Sequence, residues 1–332
     1  MQTTKNQNCS CTKTMLCGIV NVTPDSFSDG GKWNSTESAV QHALSLIKDG
    51  ADMLDIGGES TRPGSTFVPP AEEVARVVPV IRELKRLTTV PVSIDTWKAE
   101  VAQAALEAGA DIVNDITGFA GDQDMPRVAA KAPQGVVVMF NPVIYRPNHE
   151  SCKIFPQFNL NASNEKFLTE AEKMQMQQMQ ILDAMRFYLN RSILLARNAS
   201  IPGNKILLDP GIGFGLTKKE NLTLIKNIDV LHDMGFQIFL GVSRKRFVVN
   251  VISEANIDAD ATTDLGFRNR DYASAILTAI ATQHCVEVVR THAITEHKIA
   301  REVINAVKYA EASDDTNFAS YTNNKNKNGV NK

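Results

Sequence analysis

Short apolar runs rich in β-branched residues recur along this chain, and each is followed by a longer segment of helical periodicity. Such alternation is typical of βαβ units, in which helices join parallel strands. Eight runs are found, at residues 15–21, 52–57, 91–95, 111–114, 135–139, 205–209, 237–241 and 287–290. Eight strand–helix pairs predict an α/β fold of the closed (β/α)8 type, the TIM barrel.

A doubly wound open sheet is the main alternative fold for such a chain. If that sheet bound a dinucleotide, a Gly-x-Gly-x-x-Gly turn should follow its first strand. No such turn follows Asn21. The closed barrel is therefore the preferred prediction.

The 332 residues fit a single barrel domain that carries insertions. We predict a polar tail over residues 1–13, a barrel over 14–312 and a second tail over 313–332. The second tail is rich in Asn and Lys and has few apolar residues to offset the entropy of ordering, so we expect it to be disordered. Within the barrel, an inserted loop is expected near 141–163 and a single long helix near 165–197.

The charge balance bears on the kind of partner. The chain has 35 basic and 37 acidic residues and a net charge of −2, so it has no basic excess with which to bind nucleic acid. It has no apolar run of the roughly 20 residues that a membrane span requires, and residues 1–13 contain no stretch like a signal peptide. We therefore expect a cytoplasmic protein that binds a small molecule.

Polar side chains follow several of the predicted strands, and the active sites of TIM barrels lie at the C-terminal ends of the strands. Asp95, Asn114 and Asp209 end three strands, and Lys245 follows a fourth. Carboxylates can accept neighbouring N–H donors in pairs, and an amide or a lysine can bind a carbonyl and a ring nitrogen. Each residue alone could be a helix cap or a solvated loop end, but the four together suit a flat aminopyrimidinone ring.

Arg290 and His292 stand two residues apart at the end of the eighth strand, and this spacing can place both side chains on one side. Thr61 adds a hydroxyl group from the loop after the second strand. Barrels commonly bind phosphate around their last strands, so a phosphate-bearing substrate is plausible. Taken alone, an arginine at a strand end forms a structural salt bridge about as often as it binds a ligand.

Residues 18–31, which read Gly-Ile-Val-Asn-Val-Thr-Pro-Asp-Ser-Phe-Ser-Asp-Gly-Gly, closely resemble the first signature loop of the dihydropteroate synthases. Residues 57–64, 209–215, 243–247 and 290–292 resemble further signatures in the order of that family. The resemblance implies a TIM-barrel transferase of folate biosynthesis, commonly a homodimer. Its reaction joins (7,8-dihydropterin-6-yl)methyl diphosphate to para-aminobenzoate, with dissociative loss of diphosphate.

The resemblance also implies a role for each site residue. The pterin diphosphate is bound by Thr61, Asp95, Asn114, Met139, Asp209, Lys245, Arg290 and His292, of which Thr61, Arg290 and His292 receive the leaving group. Asn21 coordinates a Mg2+ ion that also contacts the diphosphate. Phe27, Pro63 and Arg246 form the aminobenzoate pocket, with a helix starting around Lys245 and Arg246. The implied catalytic residues are Lys245, Asp95, Asp209, Arg290 and His292, and the first loop is expected to close over the site.

Three features depart from the family pattern. Phe140 follows Met139 where family members usually have a histidine, Ala293 stands where an aspartate is common, and the loop after the fifth strand is longer than usual. Two alternatives stay open, of which the departures at Phe140 and Ala293 bear only on the second. One is a pterin-binding methyltransferase that acts on methyltetrahydrofolate and needs no diphosphate site, and the other is a pterin-binding paralogue with weak or no turnover.

Overall fold

A closed barrel of eight parallel strands forms the centre of the molecule. The computed structural model describes residues 13–23, 32–158 and 167–312. The strands are β1 Met15–Asn21, β2 Met53–Gly57, β3 Val92–Asp95, β4 Ile112–Asp115, β5 Gly135–Met139, β6 Ile206–Asp209, β7 Gln237–Gly241 and β8 Val288–Thr291. They pair in sequence order, and β8 pairs with β1 to close the ring. The predicted TIM barrel is confirmed, and every predicted strand agrees within one residue at each end.

Eleven α-helices lie in the described residues. They are α1 Lys32–Asp49, α2 Pro70–Leu87, α3 Ala99–Glu107, α4 Met125–Ala129, α5 Glu170–Gln177, α6 Ile181–Asn198, α7 Lys218–Lys226, α8 Val230–Asp233, α9 Arg246–Glu254, α10 Asp264–Gln283 and α11 Ile294–Lys308. Short 3-10 turns occur at Pro142–Ile144, Gly203–Lys205 and Ala310–Ala312. In this part of the chain, no helix combines the length and apolarity that a bilayer span demands.

The single long helix expected near 165–197 is wrong. Two helices, α5 and α6, occupy this region, because Gln180 takes an extended backbone with ψ of 149° and serves as the N-cap of α6. The side-chain amide of Gln177 donates to the carbonyl of Tyr145 at 3.0 Å, which ties the end of α5 to the loop after β5. The helical periodicity of the sequence does not indicate this break, because the break depends on a tertiary contact.

Two apolar layers hold the barrel together. A large cluster fills the space between the strands and the surrounding helices, and a smaller one fills the barrel interior. The interior cluster consists of Cys17, Met53, Ile112, Val137, Leu207, Phe239 and Val288. Because side chains alternate along a strand, residues two positions further on face the same interior, at the C-terminal mouth. Five of these positions hold Asp55, Asn114, Met139, Asp209 and Arg290.

The predicted tails fall almost wholly outside the described residues, which begin at Lys13 and end at Ala312. The described part of the inserted loop extends from Asn141 to Phe158. The division of the chain into two tails and one barrel domain stays a prediction.

Candidate active site

Arg290 lies in the barrel mouth between two carboxylates. Its Nε donates to Oδ2 of Asp55 at 2.5 Å, and its Nη2 donates to Oδ2 of Asp95 at 2.6 Å. Asn114 Nδ2 donates to the same Asp55 oxygen at 3.1 Å. Residues from β2, β3, β4 and β8 thus meet at one point. Since a guanidinium has five N–H donors, these two bonds leave Arg290 able to bind a ligand as well.

Asp209 and Lys245 occupy the other side of the mouth. Asp209 is buried, and its Oδ1 accepts a hydrogen bond from the backbone N–H of Gly211 at 2.7 Å. Lys245 is the N-cap of α9, and its Nζ lies 4.8 Å from the centroid of the Phe214 ring. A Cβ on Gly213, whose φ is +84°, would lie 2.6 Å from Cδ of Lys245. Glycine at position 213 therefore allows the lysine chain to pass into the mouth.

Burial shifts the protonation equilibria of these groups. It raises the pKa of Asp209 to about 6, and it lowers the pKa of Lys245 to about 8 with a further contribution from Arg290. Burial also raises the pKa of Asp95, against the opposing effect of the Arg290 guanidinium. Perturbed groups concentrated in one cleft are typical of ligand-binding and catalytic sites.

His292 lies among cationic side chains at the rim of the mouth. Its Nδ1 is 3.0 Å from Oγ of Ser243, and its Nε2 is 3.5 Å from Nη2 of Arg62. Burial lowers the pKa of His292 well below its usual range, and Arg244 and Arg290 lower it further. The imidazole is therefore neutral at pH 7. The positive charge of this region comes from the arginines, and His292 contributes hydrogen bonding.

Asn21 stands at the end of β1, close to Asp95. Asn21 Oδ1 and Asp95 Oδ2 lie 3.9 and 3.7 Å from the point that a Cβ on Gly57 would occupy. In the described ranges, no cluster of three or more His, Cys, Asp or Glu side chains could hold a metal ion. Asn21 thus offers an amide oxygen outside any such cluster, which suits a cation that brings most of its ligands with it.

For the remaining predicted site residues except Phe27, the structure gives positions on strands, loops and helices around the mouth. Met139 is buried at the end of β5, opposite Asp209 in the strand register. Thr61 and Pro63 lie on the β2–α2 loop on either side of Arg62, and Arg246 is exposed at the first turn of α9. Phe27 lies in residues 24–31, outside the described residues.

Phe140 does not belong to the mouth. It is fully buried, and its ring lies 6.1 Å from that of Tyr145 and 5.5 Å from that of Tyr188. Because Met139 faces the barrel interior, the next residue points outward toward the helices. A phenylalanine at this position therefore serves packing and takes no polar group away from the mouth.

Sequence reasoning missed four residues of this site: Asp55, Arg62, Phe214 and Ser243. Asp55 could have been found from the sequence, because it is a carboxylate within an apolar strand. It stands two residues before Gly57 and therefore faces the same side of the strand. The other three lie inside motifs that were recognised, but their contacts with His292 and Lys245 depend on loop conformation. No local pattern could assign them.

A closed parallel barrel with a charged mouth at its C-terminal rim is the architecture of a TIM-barrel enzyme. The chain belongs to the pterin binding enzyme family, whose match covers residues 17–292.

Its relatives are dihydropteroate synthases. The enzyme of that name from Clostridium beijerinckii is 41% identical over 258 residues, which is 76% of this chain and 84% of the relative. The solved structure of the Clostridium difficile dihydropteroate synthase, determined with pteroic acid, is 33% identical with a TM-score of 0.73 and covers 90% of this chain and 97% of that one. The Xanthomonas albilineans enzyme with 4-aminobenzoic acid is also 33% identical with a TM-score of 0.73, covering 90% and 94%.

Proposed function

We propose that this chain catalyses the dihydropteroate synthase reaction of folate biosynthesis. The reaction condenses (7,8-dihydropterin-6-yl)methyl diphosphate with para-aminobenzoate to give 7,8-dihydropteroate and diphosphate. The observation that carries the proposal is the barrel mouth itself. Asp55, Asp95, Asp209 and Lys245 line a pocket for a polar heterocycle, next to an arginine-rich rim around His292.

The pterin binds in the barrel mouth. Asp95 and Asp209 accept its neighbouring N–H groups as carboxylates, and Lys245 donates to its carbonyl and ring nitrogen. Asn114 adds a side-chain amide, and Met139 an apolar surface against the ring. Arg290 fixes Asp95 through the 2.6 Å bond, so this acceptor is oriented before the ligand arrives.

The diphosphate lies at the rim. Arg62 and Arg290 supply positive charge, and neutral His292 and the Thr61 hydroxyl supply hydrogen bonds. Ser243 holds the His292 ring in place from its Nδ1 side. These groups stabilise the negative charge that develops on the departing oxygen, which lowers the barrier to bond cleavage.

Mg2+ fits this arrangement as a substrate-associated ion. Mg2+ prefers oxygen ligands and usually binds through few protein groups, with phosphate oxygens and water completing its coordination. Asn21 would be its protein ligand. When bound, the ion neutralises charge on the diphosphate.

The chemistry transfers an alkyl group. The methylene C–O bond breaks, its electron pair leaves with the diphosphate, and the pterin ring disperses the positive charge left on the methylene carbon. The amine nitrogen then attacks that carbon and loses a proton. Pro63, Arg246 and the first backbone N–H groups of α9 form the aminobenzoate pocket, and the helix N-terminus favours the substrate carboxylate.

A diphosphate-release assay with and without Mg2+ tests this function. We expect release only when both organic substrates are present, and we expect Mg2+ to accelerate it. A pterin-binding methyltransferase would release no diphosphate, and an inactive paralogue would bind the pterin without turnover. Either result would contradict the proposal.

A homodimer is the proposed assembly. Ile276 on α10 and Ile299, Val303 and Val307 on α11 are each more than half exposed, at 62, 61, 57 and 65%. The two helices pack side by side, so these residues form a continuous apolar face of the kind that marks protein interfaces. A second copy of the chain would cover it. A cytoplasmic location stays a prediction from the sequence.

A further inference from the structure

The loop after β5 crosses the rim of the barrel mouth and contacts three other loops. We name residues 141–158 the bridging segment. The Ile154 carbonyl accepts a hydrogen bond from Gly64 N at 3.2 Å, which ties the segment to the loop that carries Pro63. The Phe158 ring lies 5.7 Å from that of Trp97, just after β3. The Phe155 ring lies 5.7 Å from that of Phe214, in the loop after β6.

The bridging segment is anchored firmly to the loop that carries Phe214. Arg146 makes two 2.8 Å bonds to the Glu220 carboxylate and a third to the carbonyl of Gly215. The Ser151 hydroxyl donates to the same carbonyl at 2.7 Å, and Cys152 Sγ lies 3.2 Å from it. A Cβ on Gly215 would lie 2.6 Å from this sulfur, so only glycine permits the contact. The carbonyl of Gly215, the residue that follows Phe214, is thus fixed by three side chains of the segment.

Phe214 itself faces the reactive site. Its ring is contacted both by Phe155 and by the Lys245 ammonium group, whose Nζ is 4.8 Å from the ring centroid. An aromatic ring in contact with a cation is held by its quadrupole as well as by packing. Removal of Phe155 would therefore free the ring on one side while the contact with Lys245 remains.

We propose that Phe155 is a positioning and specificity-determining residue for the aromatic amine. The bridging segment reaches the start of α9 through Phe214, whose ring contacts Lys245, and it reaches the loop of Pro63 through the Ile154–Gly64 hydrogen bond. It thereby sets the separation between these two walls of the amine pocket. The ligand class it selects is the narrow para-substituted aniline. Anilines with a bulkier para substituent are discriminated against by this fixed width. The inference rests on the proposed function.

The test compares Phe155→Ala with Phe158→Ala as a matched control. Both variants remove a phenyl ring from the same segment, but the ring of Phe158 packs against Trp97, whereas that of Phe155 packs against Phe214. In Phe155→Ala we expect the KM for para-aminobenzoate to rise about 10-fold, while the KM for the pterin diphosphate changes less than threefold. We expect Phe158→Ala to lower Tm at least as much and to leave both KM values within twofold of wild type. Phe155→Tyr, which keeps the ring, should restore the wild-type KM.

Inhibition by an aniline with a bulky para substituent gives a second readout. Its Ki should itself fall at least threefold in Phe155→Ala, because the pocket is no longer held at one width, and an unchanged or higher Ki overturns the proposed discrimination against bulky substituents. An unchanged aminobenzoate KM, or a parallel rise of both KM values, overturns the inference. If Phe155→Ala is insoluble, Phe155→Leu is tested in the same way, and its KM for para-aminobenzoate should rise about threefold. Wild-type diphosphate release is measured first, so failure of the proposed function is seen separately.

Discussion

Asp209 and Lys245 are the residues on which recognition of the heterocycle depends most directly. Both lie in the mouth, Asp209 is buried, and burial shifts the pKa of each toward neutrality. Neither has a side-chain partner of opposite charge as close as the pairs that Arg290 makes with Asp55 and Asp95. Their hydrogen-bonding capacity is therefore kept for a ligand.

Replacement of either residue by alanine should weaken pterin binding and leave the fold intact. Each change leaves a polar group of the bound ligand without its partner, which costs about 1–3 kcal/mol, or roughly 5- to 150-fold in Kd. Calorimetric titration with a pterin measures the affinity, and thermal melting checks that the fold is intact. Lys218→Ala, at a lysine on the surface of α7, is the control. Wild-type affinity in Lys245→Ala or Asp209→Ala would contradict the pocket assignment.

Pterin affinity should be highest between about pH 7 and 8, because burial raises the pKa of Asp95, the other carboxylate acceptor, to about 7. Asp209 accepts N–H donors only as a carboxylate, so binding weakens as the pH falls through its pKa of about 6. Lys245 donates with full charge only as an ammonium ion, so binding weakens again as the pH rises through its pKa of about 8. In Lys245→Arg the alkaline decline should disappear, because a guanidinium stays protonated. Titrations from pH 5 to 9.5 measure the declines in affinity at acidic and at alkaline pH. An alkaline decline that persists in Lys245→Arg would show that Lys245 is not its source.

Among the structural elements, the β2–α2 loop owes its position to a buried ion cluster. Lys98 is fully buried, and its Nζ binds Glu73 Oε2 and the Val68 carbonyl at 2.6 Å each. Glu59 Oε1 lies 3.1 Å from the same ammonium, and its Oε2 accepts from Trp97 Nε1 at 2.7 Å. Glu59 and Val68 flank the stretch that carries Thr61, Arg62 and Pro63, so the cluster holds this loop over the mouth.

Lys98→Ala should destabilise the protein by about 3–5 kcal/mol, since it leaves two buried carboxylates without their cation. Chemical denaturation measures the loss. Lys153→Ala removes an exposed lysine that pairs with Glu150 three residues away, and it should have little effect. If both variants unfold at the same denaturant concentration, the cluster is not what stabilises the loop.

The elements were predictable to different degrees. Strands such as β5 were found because a buried parallel strand is a continuous apolar run with its own end signals. Helix α9 was absent from the periodic pattern, although the family resemblance implied a helix starting around Lys245 and Arg246. The course of the bridging segment was not predictable, because its path is set by contacts such as Ile154–Gly64 between residues that are distant in the chain.

At the scale of the whole molecule, the apolar face of α10 and α11 is exposed in the part of the chain that the structure describes. Ile276→Glu with Val303→Glu should shift the protein from dimer to monomer, because each buries a charge in the proposed interface. Light scattering after size exclusion measures the mass. Lys218→Glu, at an exposed lysine on α7, serves as the control and should remain dimeric. A wild-type protein that is monomeric at micromolar concentration would exclude the dimer.

The sequence by itself determined the eight strands, the barrel they form and most of the polar residues at its mouth, since strand period and helix signals are local properties of the chain. It also placed Asp95, Asn114, Asp209, Lys245, Arg290 and His292 at or shortly after strand ends, where a parallel barrel must gather them. Tertiary structure alone decided which of them touch. Arg290 reaches Asp55, 235 positions earlier, only because β8 closes onto β1. Phe155 reaches Phe214 only because the bridging segment folds across the rim, and such contacts depend on long-range packing that no local pattern encodes.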